Sequence, residues 1–193
     1  MDKLDPRSTA LVLIDLQKGI LPLARGPYGT DTVLRNAAAL AHRARALGMP
    51  VVLVSVGWSA GYGDMLRQPV DQPIAVPPDA LPADWTELAP ELARQPGDIP
   101  ILKRQWNAFH GTELDLQLRR RGIATILLGG ISTNLGVEST ARAAWEHGYA
   151  VVLAEDACSA VHGDAAHRFS IETIMPRISR VRRSADILSA LAA

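Results

Sequence analysis

Five short apolar runs rich in Val, Ile and Leu punctuate the chain, at Ala10–Leu16, Pro50–Val56, Ile99–Leu102, Thr125–Gly129 and Tyr149–Ala154; a weaker sixth is Ile178–Val181. The runs are continuous rather than alternating, which is the pattern of strands buried on both faces of a parallel sheet. Helical periodicity fills the intervals. Over Thr32–Leu47, apolar Val33, Leu34, Ala37, Leu40, Ala41 and Ala44 recur at helical spacing, with Asp31 as the expected cap and Gly48 and Pro50 as the stop. Thr112–Arg121 opens on Thr112, Glu113 and Asp115 and closes on Arg119, Arg120, Arg121 and Gly122, acid first and base last, as the helix dipole favours. Two more helices are predicted over Asn134–His147, ending at Gly148, and Asp164–Met175, ending at Pro176. Strand and helix in alternation predict an α/β fold: a three-layer α/β/α, Rossmann-like sandwich around a six-stranded, mostly parallel sheet.

One segment breaks the rhythm. Gly57–Gly97 holds Pro69, Pro73, Pro77, Pro78, Pro82, Pro90 and Pro96 and is read as a long loop or lid, with a short helix around Trp85–Arg94. Residues 1–193 thus form one domain with an excursion at 57–97. A chain of 193 residues buries about 70% of its unfolded surface, enough for one full core. Twenty basic residues balance twenty acidic ones, which argues against a nucleic-acid partner, since such proteins carry a basic excess. The single cysteine, Cys158, permits no intramolecular disulfide and fits a reducing compartment. The first residues lack the basic and apolar regions of a signal peptide, and no apolar run approaches a membrane span. A cytoplasmic protein with no membrane partner is expected.

Ligands of open α/β sheets collect beyond the carboxyl ends of the strands. Asp15 stands there after the first apolar run, and Lys103 stands in the same relation to the third. A buried acid is a tuned acid, and a buried lysine is costly unless paired, so the two are expected to share one crevice. A third feature is Gly129–Gly148, GGISTNLGVESTARAAWEHG, where a strand ends in glycines and a helix begins near Asn134. It is neither a Walker loop nor a GxGxxG turn; its backbone N–H groups suit an oxyanion or carboxylate.

ALVLIDLQKGIL with Asp15, KRQWNAFHGTEL with Lys103, and GISTNLGVESTARAAWEHGYAVVLAEDACSA together resemble the isochorismatase-like hydrolase family, over about Ala10 to Leu188. Most members are cysteine hydrolases of amide-type bonds that use an Asp, a Lys and a Cys. The resemblance implies a non-proline cis peptide at Ile131–Ser132. It also exposes a departure: where the nucleophile is expected, TNLGVEST has Gly136, so no thioester can form there. Cys158 follows the fifth apolar run, at a position without a catalytic part in the family, and is read as a buried inert thiol. The Asp-x-His metal pair of nicotinamidases is replaced by GWSAGYGD, and His162 and His167 read as surface residues, so no metal and no cofactor are expected.

Isochorismatases and related vinyl-ether hydrolases can have Gly at this position, and their chemistry begins with protonation of a vinyl-ether carbon by the acid that corresponds to Asp15. Their turn is a GVYAH-type sequence, however, and the ISTN turn with this Gly resembles small uncharacterised bacterial members. The expected catalytic set is Asp15, Lys103 and Gly136. Substrate contacts are expected from Gln17, Trp58, Arg104, Trp106, Phe109, Ile131, Ser132 and Asn134, with Tyr62 and His110 also on crevice loops, and Thr133 and Asn134 serving the turn. The expected function is a metal-free hydrolase of a small metabolite, by vinyl-ether hydrolysis, with amide or ureide hydrolysis by Asp15-activated water and a catalytically silent binding protein as alternatives. The partner is then a small-molecule substrate, and the chain is expected to form a homo-oligomer.

Overall fold

A computed structural model describes residues 3–191. Six strands, β1 (Thr9–Ile14), β2 (Val51–Val56), β3 (Ile99–Lys103), β4 (Thr125–Ile131), β5 (Ala150–Ser159) and β6 (Arg180–Arg182), form one sheet in the order β3-β2-β1-β4-β5-β6. Every neighbouring pair is parallel. All six residues of β1 are buried. Leu11 and Leu13 enter the core on one face, whereas Ala10, Val12 and Ile14 enter the core on the other. That division explains the unbroken apolar runs, because helices cover both faces.

On the first face lie α1 (Thr30–Ala46) and α6 (Ser184–Ala190); α1 buries Val33, Leu34, Ala37, Leu40, Ala41 and Ala44, the stripe its periodicity marks. The second face is covered by α2 (Leu114–Arg120), α3 (Glu138–Glu146) and the end of the pair α4 (Asp164–Phe169) and α5 (Met175–Ile178). The edge strand β3 alternates instead, with Pro100 and Leu102 exposed, as suits a strand that is paired on one side only.

Four expectations are corrected. The N-cap of α1 is Gly29, and Asp31 lies inside the first turn, where its charge still complements the dipole. β5 continues past Ala154 to Ser159, because its polar residues find partners. Tyr28 donates to Glu155, and the Ser184 amide and hydroxyl both donate to Asp156. Pro176 does not stop a helix: it occupies the first turn of α5, where a missing N–H costs nothing, after a π-turn at Ser170–Ile174. The helix expected around Trp85–Arg94 is only a single 3-10 turn at Pro90–Leu92, closed by Ala93 in the left-handed region.

The 57–97 excursion is fastened rather than loose at its base. Lys18 and Gly19 donate backbone N–H groups to Glu87 and Trp85, and Ala89 donates to Leu16. The Trp85 indole lies against Gly19, where any Cβ would collide with the ring, and its Nε1 donates to the Val56 carbonyl. Gly130 has a comparable role between β1 and β4. Its φ is +128°, and a Cβ there would stand 2.1 Å from the Ile14 carbonyl oxygen. No side chain fits that approach.

Candidate active site

The strand order places a switch point between β1 and β4, where successive connections leave for opposite faces. Asp15 follows β1 directly with φ +52°, a left-handed conformation that a non-glycine residue adopts only when its surroundings hold it there. Its N–H donates to the Val54 carbonyl at 2.9 Å. Lys103 ends β3, two strands away, and its nearly fully buried side chain brings Nζ to 2.8 Å from Asp15 Oδ2. The ammonium also donates to the Trp106 carbonyl at 2.7 Å. Asp15 Oδ1 is buried and has no hydrogen-bond partner among the described residues. Burial raises the Asp15 carboxyl to about 6, and Lys103 opposes that rise without cancelling it.

Gly136 completes the group. It lies in a π-turn, Thr133–Val137, that opens α3, and Ser132 accepts the Leu135 and Val137 amides at its start. A Cβ at Gly136 would stand 3.0 Å from Lys103 Nζ, 3.1 Å from Ile14 Cγ2 and 3.3 Å from Asp15 Oδ2. A Cβ there would require the ammonium or the carboxylate to give by a few tenths of an ångström. The Ile131–Ser132 peptide before the turn is cis.

The remaining expected contact residues divide. Gln17 is fully buried and its amide is spent: Nε2 donates to the Val56 and Trp85 carbonyls, and Oε1 accepts the Val56 N–H. It ties the excursion to β2. Phe109 packs in the second core against His147 and Tyr149. Arg104 is not a free clamp: its Nε meets Asp64 at 2.6 Å and its Nη1 donates to the Gly57 carbonyl. Trp58 donates its indole N–H to the Arg104 carbonyl, so both residues brace the loop after β2. Trp106 presents its carbonyl to Lys103 while its ring is half exposed, and His110 is exposed. Ile131 packs in the first core. Ser132 donates to Asn134 Oδ1 and accepts the Val161 N–H, and Asn134 Nδ2 lies 3.0 Å from His162 Nδ1. Ser132 and Asn134 therefore hold the turn's shape.

His167 overturns its surface reading. Its ring is buried, its Nδ1 lies 2.8 Å from Thr133 Oγ1, and its Nε2 faces Glu155 Oε1 at 3.6 Å. Burial lowers its pKa, against the opposing charge of Glu155. One imidazole thus anchors the first residue of the Gly136 turn. Its burial is not legible in the sequence, because it depends on Thr133 and Glu155 from other elements. Cys158 lies within β5, and burial pushes its thiol up to about 12, so it stays protonated. An open groove of about 750 Å³ runs along the β3 edge, lined by residues such as Leu53, Leu88, Ile101 and Leu102; Asp15, Lys103 and Gly136 are not part of it.

A parallel α/β sheet with a buried acid–lysine pair beside a glycine turn at its switch point sets the class of fold, and comparison with known proteins names the family. Residues 9–186 match the model of the isochorismatase domain, and the chain belongs to the isochorismatase family. It is 56% identical over 191 residues to the uncharacterized isochorismatase family protein YecD of Escherichia coli O157:H7, covering 99% of this chain and 100% of that one. An isochorismatase family protein from Burkholderia thailandensis superposes with a TM-score of 0.92 at 41% identity, with both chains covered fully. A cysteine hydrolase from Pseudomonas syringae pv. phaseolicola superposes with a TM-score of 0.81 at 26% identity, over 99% of this chain and 95% of that one.

Proposed function

We propose that this member of the isochorismatase family hydrolyses a vinyl ether of a small metabolite without a cysteine nucleophile, with Asp15 as the general acid. The observation that carries the reading is the division of labour within one carboxyl group. Oδ2 is pinned to the Lys103 ammonium, and Oδ1 is buried and unpartnered. A proton on Oδ1 has no competing acceptor among the described residues and is available to a substrate carbon. A carboxyl titrating at about 6 retains that proton on about a tenth of molecules at pH 7. Asp15 gives its proton to the terminal vinyl carbon, water adds to the resulting oxocarbenium carbon and returns a proton, and the hemiketal collapses to pyruvate and an alcohol. Lys103 orients Asp15, and the turn at Ser132–Gly136 faces the anionic end of the substrate.

Gly136 supports this reading over that of a cysteine site stripped of its thiol. A side chain there would press on Lys103 Nζ and Asp15 Oδ2, and glycine leaves that space to the substrate or to the attacking water. The test is release of pyruvate from isochorismate by the wild type and by Asp15→Asn. The variant is expected to stay folded and to lose more than about 100-fold in rate. Ammonia released from amides would instead favour Asp15-activated water, and a ligand bound but never consumed would mark a binding protein.

A further inference from the structure

Three tyrosines occur in the chain, and two have carboxylate partners: Tyr28 donates to Glu155 at 2.6 Å and Tyr149 to Asp115 at 2.7 Å. Tyr62 is the exception. The residue is 4% exposed, and its hydroxyl is buried without a hydrogen-bond partner among the described residues. It lies in the 3-10 turn Ala60–Tyr62 that follows the carboxyl end of β2, and it belongs to neither core cluster. Leaving a buried hydroxyl unpaired is costly, and burying one in a loop with no partner is rarer still.

The backbone at this point is also held against preference. Gly61 and Tyr62 both lie in the left-handed region, at φ +74° and +58°, and a tyrosine enters that region only under constraint. The constraint is visible. Arg67 donates to the Gly61 and Tyr62 carbonyls, Asp64 accepts the Ser59 amide and hydroxyl, and Arg104 grips Asp64 and the Gly57 carbonyl. Arg104 is the residue after Lys103, and Gly57 donates its N–H to the Lys103 carbonyl. The Tyr62 loop is thus lashed to the strand end that supplies the lysine of the acid–lysine pair.

Three buried side-chain atoms among the described residues lack hydrogen-bond partners: Asp15 Oδ1, the Tyr62 hydroxyl and His167 Nε2, the last of which faces the Glu155 carboxylate at 3.6 Å. We propose that the Tyr62 hydroxyl is a ligand-binding group of the site and donates a hydrogen bond to a carboxylate oxygen of the substrate, while Asp15 serves the carbon to be protonated. The choice of a carboxylate rests on the vinyl-ether reading, in which the product is pyruvate. Of the two arginines that hold this loop, Arg104 is already paired with Asp64, and Arg67 is engaged by the Gly61 and Tyr62 carbonyls.

The experiment titrates pyruvate into protein carrying carbon-13 at the tyrosine Cζ, with the three signals assigned through Tyr28→Phe and Tyr149→Phe. The Tyr62 signal is expected to move on pyruvate binding while the Tyr28 and Tyr149 signals stay. Tyr62→Phe is expected to bind pyruvate about tenfold or more weakly, as for loss of a hydrogen bond to a charged acceptor, with an unchanged or higher denaturation midpoint. A still Tyr62 signal at saturation, no pyruvate binding at all, or a Tyr62→Phe protein that loses stability but keeps its affinity would each overturn the proposal. Turnover is scored separately: a moving Tyr62 signal in a protein that never releases pyruvate from isochorismate sinks the vinyl-ether reading and leaves the ligand contact standing.

Discussion

Asp15, Lys103 and Gly136 form a single unit, and each has its own signature on substitution. Adding a Cβ at Gly136 forces Lys103 Nζ to retreat, although that atom is held by both Asp15 and the Trp106 carbonyl. Gly136→Ala is therefore expected to cost about 1–3 kcal/mol, the usual penalty for overpacking, and most of the activity, as read by urea denaturation and turnover. Gly136→Cys should behave likewise, without gaining amidase activity. Lys103→Met removes the cation that holds the Asp15 pKa down, so the pH at which the rate declines should move upward from about 6. The same raised pKa links stability to pH. Folded Asp15 holds its proton more tightly than the unfolded chain, whose aspartate titrates near 3.8. That contribution is complete below the unfolded value and is lost as the pH rises through about 6. Asp15 and Lys103 were legible in the sequence, because a charged residue directly after an apolar run marks the strand end. The fate of Gln17, Phe109 and Arg104 was not, since a crevice loop sequence does not reveal whether a polar atom faces a ligand or a neighbouring carbonyl.

The elements show the same contrast between pattern and partner. The first five strands and the buried stripe of α1 follow from apolar periodicity, whereas β6 is displaced from the Ile178–Val181 run to Arg180–Arg182 and carries one apolar residue, Val181. The extension of β5 through Glu155 and Asp156 does not, because it depends on Tyr28 and Ser184, far away in the chain. The two π-turns, at Thr133–Val137 and Ser170–Ile174, are equally invisible to a 3.6-residue pattern. The sheet's tightest junction lies between β1 and β4 at Gly130. Gly130→Ala requires either backbone atom overlap or separation of the two central strands. It is expected to lose more than about 4 kcal/mol or to fail to fold, measured by soluble yield and denaturant midpoint.

At the scale of the molecule, a neutral chain with both faces of its sheet covered leaves an accessible surface of 9471 Å², close to the roughly 9,000 Å² that chain length alone anticipates. Among the described residues no helix is long and apolar enough to cross a membrane. The least covered part of the sheet is the β3 edge, where Leu102 is half exposed beside the 750 Å³ groove. We propose a homo-oligomer, and light scattering is expected to give a mass above the 20.7 kDa of one chain; a monomer across the working concentration range would refute it. The proposed chemistry turns on one proton, that of Asp15. The measurement that tests it most directly is the pH dependence of pyruvate release from isochorismate, with Asp15→Asn as the baseline. An essential acid predicts a kcat/KM that falls tenfold per pH unit above about 6 and an almost inactive variant. A rate that stays level through that range, or an Asp15→Asn protein as fast as the wild type, would contradict it.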